Sequence, residues 1–427
     1  MNPLLDFINC SPSQFHATAT VAAILKENGF AEISENEKWS LDPGGRYFTI
    51  RNGSSLIAFE IPAGPINCIM AGSAHTDSPT YRIKENYLSN ENGYNIVNTE
   101  PYGGMIRATW LDRPLSAAGR VTVRTKDGLA EKNIDLKEDL FIIPSVAIHM
   151  NRDCNSNASY NNATDMRPIY CPPGGKSLNE MIAEAAGCSD DDLLSSDLCL
   201  YSSGCRTMGD YICSPRLDDL QCLYGITEGL VRSQGSRALK LLFASDNEEV
   251  GSGTRQGADS DYLRDTVRRI FSSLSLTEEE FLTATENGIM VSADNAHAIH
   301  PNHPEYSDKN NHPEINKGIV IKYNASQKYA TDSVSASVFK LICERAEVPY
   351  QVFANRSDLA GGSTIGSISS THFPLRTVDI GLPQLAMHSA YETAGIKDTE
   401  YLIKAMSEFF GTYLEKRNNE YRILKQR

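Results

Sequence analysis

Residues 66–77 read INCIMAGSAHTD. The apolar run Ile66–Ala74 reads as a strand, and it stops at His75 and Asp77, two residue types that bind metals. The same arrangement recurs three times. Leu239–Ser245 stops at Asp246, Glu248 and Glu249; Ile289–Ala293 stops at Asp294; Thr377–Ile380 leads through Gly381 and Pro383 to His388. In open α/β sheets ligands gather beyond the carboxyl ends of the strands, so a hydrolytic metal site at those ends is the first expectation.

The 427 residues, 41% of them hydrophobic, can fill one large core and a second domain. A formal charge of −14 sets the global field against nucleic acid and anionic membrane surfaces. No apolar segment approaches the roughly 20 residues of a membrane span, and Met1–Cys10 lacks the basic flank and apolar centre of a signal peptide, so the expected compartment is the cytoplasm. The ten cysteines are scattered from Cys10 to Cys343 without a C-x-x-C pair, which points to reduced thiols. Cys199, Cys205, Cys213 and Cys222 lack the paired spacing of a structural zinc site.

The apolar spacing of Ser13–Asn28, closed by Gly29, predicts a helix. Strands and amphipathic helices alternate after about Gly209, with helices expected over Asp261–Leu274, Ser333–Arg345 and Glu400–Arg417. Between Glu85 and Met208 that rhythm is absent. There the chain shows a β-rich Gly119–Thr125, an apolar Leu140–Ile148 and an Asn-rich loop at Asn151–Asn162. The expected architecture is an α/β domain, residues 1–84 and 209–427, with a mixed sheet flanked by helices, interrupted by a mostly β domain at 85–208.

Residues two apart on a strand face the same way, so Asp77 can orient the imidazole of His75. The adjacent Glu248 and Glu249 must point to different places, which lets one bind metal while the other handles protons. Asp218-Asp219 reads either as a bridge between paired metals or as a helix N-terminus. Asp294 ends a buried strand, where an unpaired charge is costly and calls for a partner. His388 and Glu392, four apart, fit one helix face. The histidines 297, 300, 303 and 312 read as structural members of a loop. Mixed nitrogen and oxygen ligands suit a two-metal hydrolase, and no serine-nucleophile elbow or phosphate-binding loop competes with that reading.

The strings AHTDSP (74–79), EPYGG (100–104), SPRLDDL (214–220), DNEEVGS (246–252), ADNAHAIHPN (293–302), NKGIVIK (316–322), GGSTIG (361–366) and TVDIGLPQLAMHS (377–389) run in order along the chain. Together they resemble the M18 metallopeptidases, the aspartyl aminopeptidase family. The resemblance implies that His75 and Asp294 hold one divalent ion, Glu249 and His388 a second, and Asp218 bridges both, with Asp77 behind His75. Zinc is the expected metal, and manganese and cobalt also suit the ligands. Glu248 would be the general base toward a metal-bridging water that attacks the N-terminal peptide carbonyl.

By the same likeness His149 would reach a neighbouring subunit's site, and Lys322 and Tyr329 would recognise an acidic substrate side chain. The inserted domain, 85–208, would mediate dimerisation within a homo-oligomer, a dodecamer. Asn247 stands where many relatives carry histidine and Asn295 where many carry methionine. The implied activity is removal of N-terminal Asp or Glu from peptides, with no nucleic-acid or membrane partner. The alternatives are a related dinuclear carboxypeptidase or deacylase, and a non-catalytic assembly protein.

Overall fold

The computed structural model describes residues 2–235 and 237–425. Its largest element is a nine-stranded mixed sheet. The four runs that stop at ligand-type residues become its four central neighbours: Leu239–Ser245, Ile69–His75, Ile289–Ala293 and Arg376–Gly381 lie side by side, all parallel. Their registers align the strand ends, with Ser245 opposite His75 and Ala293 opposite Ile380. The outer strands Ser55–Glu60 and Ile319–Tyr323 run antiparallel to their inner neighbours, which makes the sheet mixed.

Both faces of this sheet are covered, which explains why its strands read as continuous apolar runs. Along Leu239–Ser245 the side chains alternate: Leu242 and Ala244 enter one core, Leu239, Leu241 and Phe243 the other. The first core packs the helices Gln14–Glu27, Leu217–Arg232, Ser333–Arg345 and Ile396–Phe410 against the sheet. The second packs Tyr262–Ser273, Glu278–Glu286 and Ile365–His372 on the opposite face. Burial of these apolar faces is the main stabilising term, about 25 cal/mol per Å² removed from water.

A separate seven-stranded antiparallel sheet spans Thr80 to Tyr201 and has its own core around Tyr81, Trp110, Phe141 and Ile182. Its strand Thr80–Glu91 begins before residue 85, directly after the His75 loop. The helix Leu178–Ala186 covers it, started by Ser177 and Glu180 in a reciprocal capping box. A five-stranded sheet joins Arg206–Met208 and Tyr211–Ser214 to Glu392–Gly395, Pro383–Leu385 and Ala296–His297.

The helix expected over Glu400–Arg417 differs from its sequence reading. Helix stops at Phe410 rather than Arg417, and Thr412–Arg417 pairs with Glu420–Lys425 as a hairpin. The helical spacing of Leu402, Ile403, Met406, Phe409 and Phe410 ends there, and the buried Thr412 and Leu414 continue with a period of two. Within Leu140–Ile148 only Phe141–Ile142 is strand, and Val146 and Ile148 are exposed, as is Met150 beyond it.

Candidate metal centre

Each strand end delivers its ligand-type residue to one place. His75 closes its strand and is 1% exposed. Asp218 sits in the first turn of Leu217–Arg232, where residues 218 and 219 leave helical geometry. Glu248 and Glu249 occupy a short turn after Asn247, whose φ of 62° reverses the chain at the end of its strand. Asp294 follows Ile289–Ala293, and His388 lies between Pro383–Leu385 and Glu392–Gly395.

Among the described residues three clusters result: one joins His75, Glu248 and Glu249, and the other two share Asp218. His75, Asp218, Asp219 and Asp294 bring ligand atoms within 4.8 Å of one another, as do Asp218, Glu249 and His388. The Nε2 of His75 lies 3.4 Å from Asp218 Oδ1; the Nε2 of His388 lies 3.3 Å from Asp218 Oδ2 and 3.4 Å from Glu249 Oε2. Ligand atoms about 2.0–2.2 Å from one tetrahedral zinc stand roughly 3.3–3.6 Å apart, so these spacings fit such an ion.

Hydrogen-bond chemistry agrees. Nδ1 of His75 lies 3.0 Å from the carbonyl oxygen of Asp77, which can only accept, so Nδ1 carries the proton. In the neutral ring the Nε2 lone pair then faces a carboxylate, an arrangement that a cation between them makes favourable. Burial opposes charging this ring, yet the adjacent carboxylates of Asp218 and Asp77 outweigh it and hold its pKa well above the ordinary value. Among the described residues, Oδ1 of Asp218, Oδ1 of Asp219 and Oε1 of Glu249 are buried without a hydrogen-bond partner. Leaving buried carboxylate oxygens unpaired costs several kcal/mol each, and a divalent ion removes that cost.

Further carboxylates hold the ligands from behind. Asp77 accepts the backbone N–H of Glu248 and of Glu249, each at 3.1 Å. Asp219 accepts the N–H of His75 at 3.1 Å. Glu392 accepts the N–H groups of Asp218 and His388, at 3.2 and 2.8 Å. The expected helical pairing of His388 with Glu392 is therefore corrected: Glu392 opens a strand and grips the backbone of His388 rather than its ring.

The centre opens into a cleft of about 310 Å³. Burial, reinforced by the charge of Asp294, lifts the Glu248 carboxyl to about 8 there, although His75 works in the other direction. Among the described residues Lys322 is the one Lys or Arg in the lining. Its Nζ donates to the carbonyl of Asn295 at 2.8 Å and stands 3.7 Å from Asp294 Oδ1. Burial opposes its charge, but Asp294 overcomes this and raises its pKa. The ring of Tyr329 lies 5.5 Å from the same Nζ.

His149 is not among the cleft residues of its own chain; it is exposed, in a turn of the seven-stranded domain. His297, expected from the sequence to be a structural member of a loop, is carried by the short strand Ala296–His297 into the cleft beside Phe353. Its position two residues after Asn295 on a strand end was the available signal. His300 and His303, by contrast, are exposed and pack against each other. Among the described residues no cysteine joins a ligand cluster.

Comparison with known proteins gives a consistent picture. The family model described as aminopeptidase I zinc metalloprotease (M18) matches residues 7–410. A probable M18 family aminopeptidase 2 of Clostridium acetobutylicum is 46% identical over 424 residues, covering 95% of this chain and 97% of that one. Its counterpart in Pseudomonas savastanoi pv. phaseolicola is 39% identical, with 96% and 98% covered. Among solved structures, that of an Ape4 and Nbr1 complex superposes with a TM-score of 0.91 at 34% identity, covering 96% of this chain and 84% of that chain. The mApe1 dodecamer of S. cerevisiae gives 0.83 at 28%, covering 96% and 95%.

Proposed function

The chain belongs to the M18 family of zinc metallo-aminopeptidases, and from that premise we propose that it removes Asp or Glu from the N-termini of peptides, using two divalent ions bridged by Asp218. The observation that carries this reading is the meeting of two ligand clusters at one buried carboxylate whose neighbours keep unpartnered oxygens. His75 and Asp294 would hold one ion, Glu249 and His388 the other. When bound, the ions supply Lewis-acid polarisation of the peptide carbonyl and make a nearby water acidic enough to react at neutral pH.

The chain's own groups do the rest. Glu248 lines the cleft and groups with His75 and Glu249 rather than with Asp218; in this reading its carboxylate takes the proton of the attacking water and returns it to the departing amine. Asp77 fixes the backbone of both glutamates. Lys322 offers a buried ammonium for the acidic side chain of the substrate, bordered by Tyr329. A neutral side chain would leave that charge unmatched, which is how polar pockets discriminate.

The family likeness also supports an assembled state. The exposed Val146, Ile148 and Met150 flank His149 and form an apolar turn on the seven-stranded domain, residues 85–208 in our division, suited to subunit contact. A homo-oligomer, a dodecamer as in the yeast relative, would bring His149 to a neighbour's cleft. A panel of Asp, Glu and Leu aminoacyl substrates assayed with zinc, manganese and cobalt tests the proposal. Preference for Asp and Glu is expected; preference for Leu would overturn the specificity. Light scattering that finds a fully active monomer would overturn the role of His149.

A further inference from the structure

One tyrosine reaches the metal centre from the other sheet. Tyr102 ends the strand Tyr94–Tyr102 of the seven-stranded domain and is 7% exposed. Its hydroxyl lies 2.7 Å from Asp77 Oδ2, and since the carboxylate has no proton to give, the phenol donates. The same oxygen accepts from Asn247 Nδ2 at 2.9 Å. That fixes the amide of Asn247, whose Oδ1 accepts from Thr254 Oγ1 and Gln256 Nε2, both at 2.8 Å. Asp77 in turn accepts the N–H groups of Glu248 and Glu249.

Every proton in this chain of bonds has one direction, from Thr254 and Gln256 through Asn247 and Tyr102 to Asp77, and such chains strengthen cooperatively. The ring cannot swing away: the Arg82 guanidinium covers it at 4.4 Å. Behind it Gly103, at φ 76°, lets the backbone approach Glu249 so closely that an added Cβ would lie 3.1 Å from Glu249 Cβ. The turn that carries both glutamates is thus suspended at two points, Asp77 and Asn247, and both are tied to one hydroxyl.

We propose that Tyr102 is a positioning residue of the hydrolytic reaction: its hydroxyl sets the placement of Glu248 and Glu249 relative to the other ligands, so that a residue of the inserted domain tunes metal affinity and turnover. This rests on the assignment of Glu249 as ligand and Glu248 as base. Groups that orient ligands through a second layer of bonds typically change metal affinity or activity about 10–100-fold when removed.

The test compares the full-length wild type with Tyr102→Phe, which removes one oxygen and keeps the ring, and with Asn247→Ala. Zinc affinity is measured without substrate, by competition with a chromophoric chelator, and kcat and KM are measured separately. Tyr102→Phe should weaken zinc binding at least about 10-fold and lower kcat by a similar factor, with KM within about twofold and the melting temperature of the metal-free protein unchanged. Asn247→Ala should show the same pattern more weakly, and it decides the matter if Tyr102→Phe does not fold. Wild-type zinc affinity and kcat in both variants would overturn the proposal, as would losses matched by a fall in metal-free melting temperature. Failure of the wild type itself to bind zinc would instead overturn the underlying metal assignment.

Discussion

The two ends of the parallel strands handle buried charge in opposite ways. At the amino end, Lys240 is fully buried, yet its Nζ donates to Glu60 Oε1 at 3.0 Å and to Ser233 Oγ at 2.9 Å. Glu60 is closed on its other side by Arg46 at 3.0 Å. At the carboxyl end Asp218, Asp219 and Glu249 keep buried oxygens with no hydrogen-bond partner among the described residues, and Lys322 stands in a cleft bonded to a carbonyl and 3.7 Å from Asp294. One end balances its buried charge within the chain; the other does not. Imbalance of this kind marks a working site, because an isolated buried charge costs more than folding tolerates.

The contrast breaks first at Glu248. Glu248→Gln should keep its zinc and lose roughly 10²–10⁴-fold in kcat. If that variant sheds metal while Glu249→Gln retains it, the two roles are exchanged. Metal removal comes next: at saturating zinc, ligand binding worth about 4 kcal/mol should make the chelated protein melt on the order of 10 °C lower. A melting temperature indifferent to chelation would mean that the carboxyl end balances its own charge.

Lys322→Ala should raise KM for Asp and Glu substrates by roughly tenfold or more and spare Leu substrates. Equal losses on both would show that Lys322 serves only Asp294. The smallest effect belongs to the balanced end. Lys240→Met leaves Glu60 with Arg46, so urea denaturation should show a change of about 1–2 kcal/mol, with kcat/KM unaltered. A loss of activity there would erase the distinction between the two ends.

What could be read from the sequence follows the same division. The four central strands were visible because burial on both faces writes itself as an unbroken apolar run, and each run stops where a polar residue leaves the sheet. Their adjacency was not visible, since pairing joins segments as distant as Ile69–His75 and Leu239–Ser245. Glu392 was read as a partner of the His388 ring because four-residue spacing suggests a helix. Its actual bonds go to two backbone N–H groups, a pattern with no spacing signature. Tyr102 was legible only as part of EPYGG, because its partners lie in segments remote from it. The hairpin at Thr412–Lys425 was hidden by a helical pattern that runs up to Gly411.

The proposed dinuclear centre is tested most directly by counting zinc. Wild type and Asp218→Ala are stripped with chelator, reloaded, desalted and analysed for bound metal alongside aminopeptidase activity. Two zinc ions per wild-type chain are expected, with loss of both, together with activity, in Asp218→Ala, because one carboxylate faces His75 with Oδ1 and His388 with Oδ2. A variant that retains two ions and normal turnover would contradict that expectation.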